Sequence, residues 1–250
     1  MNTKNAKFKS HSKRKPLHET NMKNIAPKTI APAALLLLLC AYIAAQTSTS
    51  PQEPPAPVTI PAADSGTITD SIYQNDYFGM RLTIPEGWTI YDAQGRRMLI
   101  EGGRKQFTSN DKTVQAQLDA GTARTVNLLT VSKLAENASG AENAIFICGA
   151  EFVPRTSSST SATSQDYLNQ VKRLLTYAKV TFKVEEDVKS EKINGNEFGV
   201  LSVSTEAPRG VVRQKYYAIM KKDYALFCIS TYINEADLQV MNKIINSLRF

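Results

Sequence analysis

In this 250-residue sequence, Ser109 and Lys112 are spaced as S-x-x-K, a spacing found in one class of serine hydrolases. On a helix this spacing brings the two side chains together, so that a neutral amine could activate the hydroxyl. The S-D-N and K-T-G elements that accompany the motif in serine hydrolases are missing. We therefore interpret the match as chance, with Ser109 or Asn110 serving as a helix cap.

Two other charged stretches have residue types that could hold an anion or a metal ion. Residues 101–105 (EGGRK) could present amides and two cations to a phosphate, but no P-loop or dinucleotide-binding pattern surrounds them. Residues 185–187 (EED) could supply oxygen ligands to a hard cation, but successive side chains of a strand point to opposite faces. We interpret these stretches as a solvated turn and an exposed hairpin edge, and we predict no cofactor and no metal.

Histidine occurs only in the first 45 residues, at His11 and His18. If this segment is removed, the remaining chain cannot build a Ser-His-Asp triad, a Cys-His pair or a histidine zinc site. Carboxylate, lysine, tyrosine and Ser/Lys chemistry stay open. We predict a non-catalytic protein, and the alternative is an envelope enzyme that uses carboxylate or Ser/Lys chemistry.

The basic residues are concentrated in the same segment. Residues 1–45 carry eight Lys and Arg against Glu19 alone, which accounts for the whole formal charge of +7. The remaining residues carry 22 positive and 22 negative side chains. Because a neutral domain has no net charge with which to neutralise many phosphates, we predict no nucleic-acid partner.

Residues 1–45 have the pattern of an export signal: a basic stretch, an apolar core at 30–45, and then small residues before a polar run. The core of about 16 residues is shorter than the roughly 18 of a membrane-spanning helix. We predict cleavage between Ala45 and Gln46, with Met22 as the true start, and a periplasmic or secreted protein. The alternative is an uncleaved leader that anchors the protein to the membrane through residues 30–45.

The segment 46–70 contains five of the eleven prolines and is rich in Ser and Thr. This composition is typical of a disordered linker, and we expect a single domain over 71–250. In that domain, the Asn137–Ala138–Ser139 sequon is relevant only in a eukaryotic secretory route.

Apolar periodicity predicts the elements of this domain. Phe78, Met80, Leu82 and Ile84 alternate with polar residues in a half-buried strand, and a type I turn with Pro85 second directs Trp88, the only tryptophan, back toward it. Further strands are predicted at 125–134, 143–153, 181–193, 196–206, 211–221 and 224–233, and helices near 110–119, after a Ser164 cap and after an Asn234 cap. The fold class is therefore α+β: an antiparallel sheet of about six to eight strands with a C-terminal four-strand meander, covered by helices that include a C-terminal one.

Cys148 and Cys228 are the only cysteines after the leader, and an oxidising compartment permits them to pair. Two separate buried thiols are the favoured interpretation, and a disulfide is the alternative.

Tyr224 and Tyr232 share the strand face of Cys228, and with Trp88 they form a candidate binding face. Ordinary packing under the N-terminal half of the domain is the favoured interpretation of this face.

The stretches FGMRLTIPEGW, INGNEF, YYAIMKKDYALFCISTYI and the terminal NSLRF together resemble the PsbP-like superfamily. This group includes the extrinsic photosystem proteins, the Ran-binding Mog import factor, the envelope lipoprotein DcrB and many uncharacterised exported bacterial proteins, to which the sequence is most similar. The resemblance covers roughly residues 73–250 and implies a non-enzymatic binding or assembly domain. Its partner is expected to be a protein or an envelope component; the alternative is a secreted structural domain with no dedicated ligand. No functional residue is transferred, because no metal-binding, Ran-binding or photosystem-docking motif matches.

Overall fold

The computed structural model describes residues 66–135, 143–153, 163–208 and 210–250. The predicted signal segment with its Ala45/Gln46 cleavage point, Met22, and the Asn137–Ser139 sequon lie outside the described residues, as does most of the predicted linker. In the described part of the chain, no helix is both long and apolar enough to cross a membrane.

Within these described residues, ten strands form two antiparallel sheets. The small sheet has the order β1-β2-β3 and the large sheet has the order β4-β5-β6-β10-β9-β8-β7. The strands are β1 Thr67–Thr69, β2 Ile72–Asn75, β3 Met80–Thr83, β4 Thr89–Ile90, β5 Thr125–Ser132, β6 Ile145–Phe152, β7 Lys183–Ile193, β8 Asn196–Ala207, β9 Gly210–Lys221 and β10 Tyr224–Tyr232. The last four strands form the predicted meander, and β6, which is apolar except for Glu151, lies inside the sheet between β5 and β10.

Four helices complete the fold: α1 Ala93–Arg104, α2 Lys112–Ala123, α3 Ser164–Leu174 and α4 Glu235–Ser247. A 3-10 turn, Leu175–Tyr177, follows α3. The α+β class predicted from the sequence, with its meander and C-terminal helix, is confirmed.

Each face of the large sheet carries its own hydrophobic core. On the helix-covered face, residues such as Ile147, Tyr216, Phe227 and Ile229 pack with apolar residues of α1, α2 and α3. On the opposite face, which we call the α4 face, Val200, Tyr217, Leu226 and others pack with the small sheet and with Met241, Ile244 and Ile245 of α4. The domain therefore has three layers, because the large sheet is apolar on both sides over most of its area.

The helix α1 was not predicted, and it contains Glu101–Arg104 of the stretch interpreted as a solvated turn. The Asp92 carboxylate caps it by accepting from the Gly95 backbone N–H at 2.7 Å. Leu99 is buried against the core of the helix-covered face. Capping and tertiary packing thus outweigh the low helix propensity of its glycines.

Two other helix starts differ from the prediction by one or two residues. The cap of α2 is Asp111 rather than Ser109 or Asn110, and the cap of α3 is Thr163 rather than Ser164. Thr163 and Asp166 form a capping box, in which each side chain accepts from the other residue's backbone N–H. The predicted Asn234 cap of α4 is confirmed, since its side chain accepts from the Asp237 N–H at 2.9 Å.

The hairpin turns follow the positive-φ rule. Asn194 and Gly195 have φ of 49° and 81°, which confirms the predicted type I′ turn. The turn after β3 lies one residue later than expected, because the Trp88 N–H donates to the Pro85 carbonyl at 3.3 Å. Gly87, with φ 74°, is therefore third in this turn, the position where a type II turn needs a positive φ.

Another hairpin lies at residue 70, where the linker was predicted to end. Strands β1 and β2 pair across Asp70 and Ser71, which have φ of 50° and 59°. All three residues of β1 are exposed, and no apolar pattern marks this strand in the sequence. Backbone pairing with β2 is what makes Thr67–Thr69, within the segment predicted as linker, a strand.

Cys148 and Cys228 form a disulfide, where the sequence had favoured two separate thiols. They lie directly opposite each other on β6 and β10, with Cα atoms 4.3 Å apart. Such short spacing is typical of the non-hydrogen-bonded positions of an antiparallel pair. The sequence could not supply the register that brings the two residues face to face.

Candidate functional site: a polar groove on the meander

The structure separates the three residues of the predicted binding face. Tyr224 is only 7% exposed and packs in edge contacts on Tyr77, Phe78 and Phe152, with ring centroids 5.3 to 5.9 Å apart. Tyr232 lies at the other end of β10, about 26 Å away at 3.3 Å per residue. No partly open face exists at Tyr224, because the small sheet covers it.

Trp88 lies at a third place, between β3 and β4. It is half-buried and packs against the edge of the α4-face core. The prediction that it turns back toward the core is met in part, since one side of the residue stays in solvent. It does not line the site described below, and neither does Tyr224.

Tyr232 belongs to a region where three strands of the α4 face change character together. Along β8 the side chains on this face run from Phe198 and Val200 to Ser202 and Ser204. The matching residues of β9 run from Ile219 and Tyr217 to Lys215 and Arg213, and those of β10 from Leu226 and Cys228 to Ser230 and Tyr232. The register aligns these changes, because Ser202 and Ser230 lie opposite Lys215, while Ser204 and Tyr232 lie opposite Arg213. One half of the face is therefore apolar and the other half polar.

The polar half forms a groove of about 400 Å³ between β7 and α4, which we call the meander groove. Its floor is the polar end of β8, β9 and β10, one wall comes from β7, and the other wall comes from α4. The lining residues are Glu185, Glu186, Ser202, Val203, Arg213, Lys215, Tyr232, Leu238 and Asn242. Leu238 of α4 is half-buried and contributes an apolar side chain to this wall of the groove.

Ion pairs hold the carboxylates around the groove. Glu185 lies 3.2 Å from the Lys183 ammonium and also accepts from the Ser204 hydroxyl at 2.6 Å. Glu186 pairs with Lys189 at 3.0 Å. Deeper in the sheet, Glu191 lies 3.5 Å from Lys215 Nζ, which also sits 5.2 Å from the centroid of the Tyr217 ring.

Hydrogen bonds and burial shift the pKa values of three groove residues away from neutral pH. Hydrogen bonds from Ser204 and Lys183 hold the pKa of Glu185 below its usual value, and the hydrogen bond and charge of Lys189 do the same for the pKa of Glu186. Burial raises the pKa of the Tyr232 hydroxyl. At pH 7 the groove therefore contains fixed carboxylates and a protonated phenol.

Two of the motifs that the sequence offered as chemistry make other contacts in the described residues. The Ser109 hydroxyl accepts from the Asp111 N–H at 3.1 Å within the α2 cap. Of the EED stretch, Glu185 and Glu186 line the meander groove, whereas Asp187 pairs with Lys172 of α3 at 2.7 Å. Among the residues that the structure describes, no three His, Cys, Asp or Glu side chains are grouped so that they could hold a metal ion.

No local pattern in the sequence marked four of the lining residues as site residues: Arg213, Lys215, Ser202 and Asn242. A signal was nevertheless present in the alternation of residues along three strands, at 200–204 (VLSVS), 213–219 (RQKYYAI) and 226–232 (LFCISTY). In each stretch, the side chains on one face are apolar toward one end of the strand and polar toward the other. The three changes point to one site only when the strands are aligned, and alignment is a property of the sheet register.

No protein-family model matches the chain, and no curated protein matches it. Solved structures do resemble it. The solution structure of cyanobacterial PsbP (CyanoP) from Synechocystis sp. PCC 6803 is 12% identical, with a TM-score of 0.43 over 71% of this chain and 90% of that chain. LpqN, described as involved in cell envelope biogenesis of Mycobacterium tuberculosis, is 11% identical, with a TM-score of 0.34 over 68% of this chain and 81% of that chain.

A protein of unknown function from Pseudomonas aeruginosa, PA94, described as a putative regulator, is 18% identical, with a TM-score of 0.31 over 47% of this chain and 72% of that chain. Every one of these TM-scores is below 0.5, so the residues of the chain itself are what bear on its function. Membership of the PsbP-like superfamily stays a prediction.

Proposed function

We propose that this protein is an exported, non-catalytic binding domain that holds a protein partner in the meander groove. The observation that carries the proposal is the aligned change from apolar to polar side chains on β8, β9 and β10. The small sheet and α4 cover the apolar half of the α4 face, and the polar half stays open.

The protonation states of the groove favour binding over catalysis. A general acid or base works best with a pKa near the working pH. The pKa of Glu185 and that of Glu186 are lowered by their hydrogen bonds, and the pKa of Tyr232 is raised by burial, so all three move away from neutral pH. Such groups keep their charges and protons fixed, as hydrogen-bonded recognition requires.

The alternative of a Ser/Lys enzyme has one observation in its favour, since Lys215 lies between Ser202 and Ser230 in the sheet register. That chemistry needs a neutral amine within hydrogen-bond reach of a serine. The Lys215 ammonium instead donates to the Glu191 carboxylate at 3.5 Å, and among the described residues no hydrogen bond joins it to a serine. The pairing supports recognition rather than nucleophilic attack.

The composition of the groove favours a protein partner over an enclosed small molecule. Small-molecule sites are mostly apolar and surround their ligand. In the meander groove Val203 and Leu238 are the apolar lining residues, and Glu185, Glu186 and Arg213 are exposed. A polar, open groove suits a segment of a larger partner whose remaining surface extends beyond it.

An exported location is supported by the predicted leader at 1–45 and by the disulfide between Cys148 and Cys228. Disulfides persist in oxidising compartments and are rare in the reducing cytosol.

Site-specific photo-crosslinking tests this function. A benzoylphenylalanine at Tyr232 places the photoreactive group in the groove, and the same residue at Tyr177 is the matched control, because Tyr177 is exposed and follows α3 on the other face of the sheet. In cells that produce the protein, we expect a discrete crosslinked product from position 232 and none from position 177. No product at 232, or the same product at both positions, would contradict the proposal.

A further inference from the structure

The cations around the meander groove are not all paired. Glu185, Glu186 and Glu191 each lie within 3.5 Å of one lysine. A fourth cation, Arg213, lines the groove and makes no hydrogen bond or ion pair with any residue that the structure describes. Its charge is near enough to help lower the pKa of Glu185, but its N–H donors have no partner among the described residues.

The sheet holds this guanidinium in a defined place. Arg213 lies on β9 between two neighbouring strands, directly opposite Ser204 on β8 and Tyr232 on β10. The Ser204 hydroxyl already donates to Glu185 at 2.6 Å. Arg213 is exposed, so its five N–H donors are accessible from the groove.

Two further polar groups that line the groove also lack a partner among the described residues. The half-buried Tyr232 hydroxyl and the Asn242 side-chain amide both line the groove, and neither has a hydrogen bond there. Burial raises the pKa of Tyr232, so its hydroxyl stays protonated and can donate. A guanidinium, a phenol and an amide that line one groove form a donor set, which matches a ligand group that only accepts.

A carboxylate fits this donor set better than a phosphate. The planar guanidinium fork binds a carboxylate through two parallel hydrogen bonds. Glu185 and Glu186 line the same groove, and Glu235 at the start of α4 is close enough to raise the pKa of Tyr232 further. A singly charged carboxylate meets less repulsion from these three groups than a phosphate dianion does.

We infer that the meander groove binds an acidic segment of a protein partner, with one Asp or Glu carboxylate of that segment seated on Arg213 and contacted by Tyr232 and Asn242. This inference rests on the proposed function and names the chemistry of the partner. Lys215 does not bind the carboxylate of the partner, because its ammonium already forms an ion pair with Glu191.

Titration of the full chain with two peptides, followed by amide NMR shifts, tests the inference. The probes are N-acetyl-Gly-Glu-Gly-amide and N-acetyl-Gly-Gln-Gly-amide, which have nearly the same shape and differ in the carboxylate. We expect the glutamate peptide to shift the amides of Ser204, Arg213 and Tyr232. We expect the glutamine peptide to bind at least about 10-fold more weakly, since hydrogen bonds to charged groups contribute about 1.5 to 3 kcal/mol.

The variant R213Q should lose the same factor of about 10 or more in affinity for the glutamate peptide. Its control is R173Q, which removes an exposed arginine of α3 on the other face of the sheet and should bind like the parent protein. The amide spectra report whether each variant is folded. The inference is overturned if both peptides bind equally, if R213Q binds like R173Q, or if inorganic phosphate binds the same residues more tightly than the glutamate peptide.

These results separate the inference from the proposed function. A crosslink at position 232 together with equal binding of the two peptides would leave the groove as a binding site and overturn its acidic ligand. Absence of the crosslink would contradict the proposed function, whatever the peptides do.

Discussion

The two halves of the α4 face share the same three strands and differ in what their side chains meet. In the closed half, Val200, Tyr217 and Leu226 are buried under the small sheet and α4. In the open half, two to six residues away on the same strands, Ser202, Lys215 and Tyr232 line the meander groove. Backbone pairing is continuous through both halves, so only the side chains distinguish them.

This comparison separates what holds the domain together from what can recognise a partner. The closed half contains the disulfide and the aromatic cluster around Tyr224. Buried apolar groups stabilise the fold by leaving water, whereas exposed ion pairs contribute little. Substitutions in the closed half should therefore change stability, and substitutions in the open half should change binding.

The largest expected effect comes from the disulfide of the closed half. Replacing both Cys148 and Cys228 by Ala should lower the free energy of unfolding by about 4 kcal/mol, because the bond closes a long loop in the unfolded chain. The two residues are 80 apart in sequence. Urea unfolding of the full chain measures the change, and mass spectrometry without reduction verifies the bond in the parent. Two free thiols in protein isolated from an oxidising compartment would contradict the pairing.

A matched pair on β10 tests the boundary between the halves more directly. Leu226→Ala should cost about 3 kcal/mol, as expected when a buried leucine is removed from a packed core. Ser230→Ala, four residues away on the same face, should not lower stability, because its buried hydroxyl has no hydrogen-bond partner among the described residues and its removal breaks no hydrogen bond. Urea unfolding of both variants gives the comparison, and equal losses would abolish the distinction between the halves.

The smallest expected effect is a dependence on alkaline pH that belongs to the closed half. Burial raises the pKa of Tyr217 above its ordinary value of 10.0, so the folded state favours the protonated phenol. The unfolded chain releases this proton first, and the free energy of unfolding should therefore fall as the pH rises above about 10. Tyr217→Phe should make this fall smaller in urea unfolding between pH 8.5 and 11.

Tyr177→Phe is the control for this measurement. Tyr177 is exposed on the other side of the sheet, so its replacement removes a tyrosine that is not buried in a core. The pH dependence of this variant should match that of the parent. An equal reduction in both variants would show that the burial of Tyr217 is not the cause.

The sequence alone predicted the elements whose signal is local. The β-strands of the meander, the Asn194–Gly195 turn and the Asn234 cap all follow from short-range rules of spacing and backbone conformation. The sequence also predicted that Phe78, Met80, Leu82 and Ile84 share a buried face, and all four are buried. Helix α1 and strand β1 were missed, since tertiary packing and backbone pairing make the first a helix and the second a strand.

For the candidate site, the sequence determined the residue types and the tertiary structure decided which of them meet. Period-two alternation assigns Arg213, Lys215 and Tyr232 to strand faces, and it assigns Cys148 and Cys228 likewise. It contains no information on which residue of one strand lies opposite which residue of the next, because register is set by contacts across the whole sheet. That register places Tyr232 beside Arg213, buries Tyr224 far from both, and joins the two cysteines.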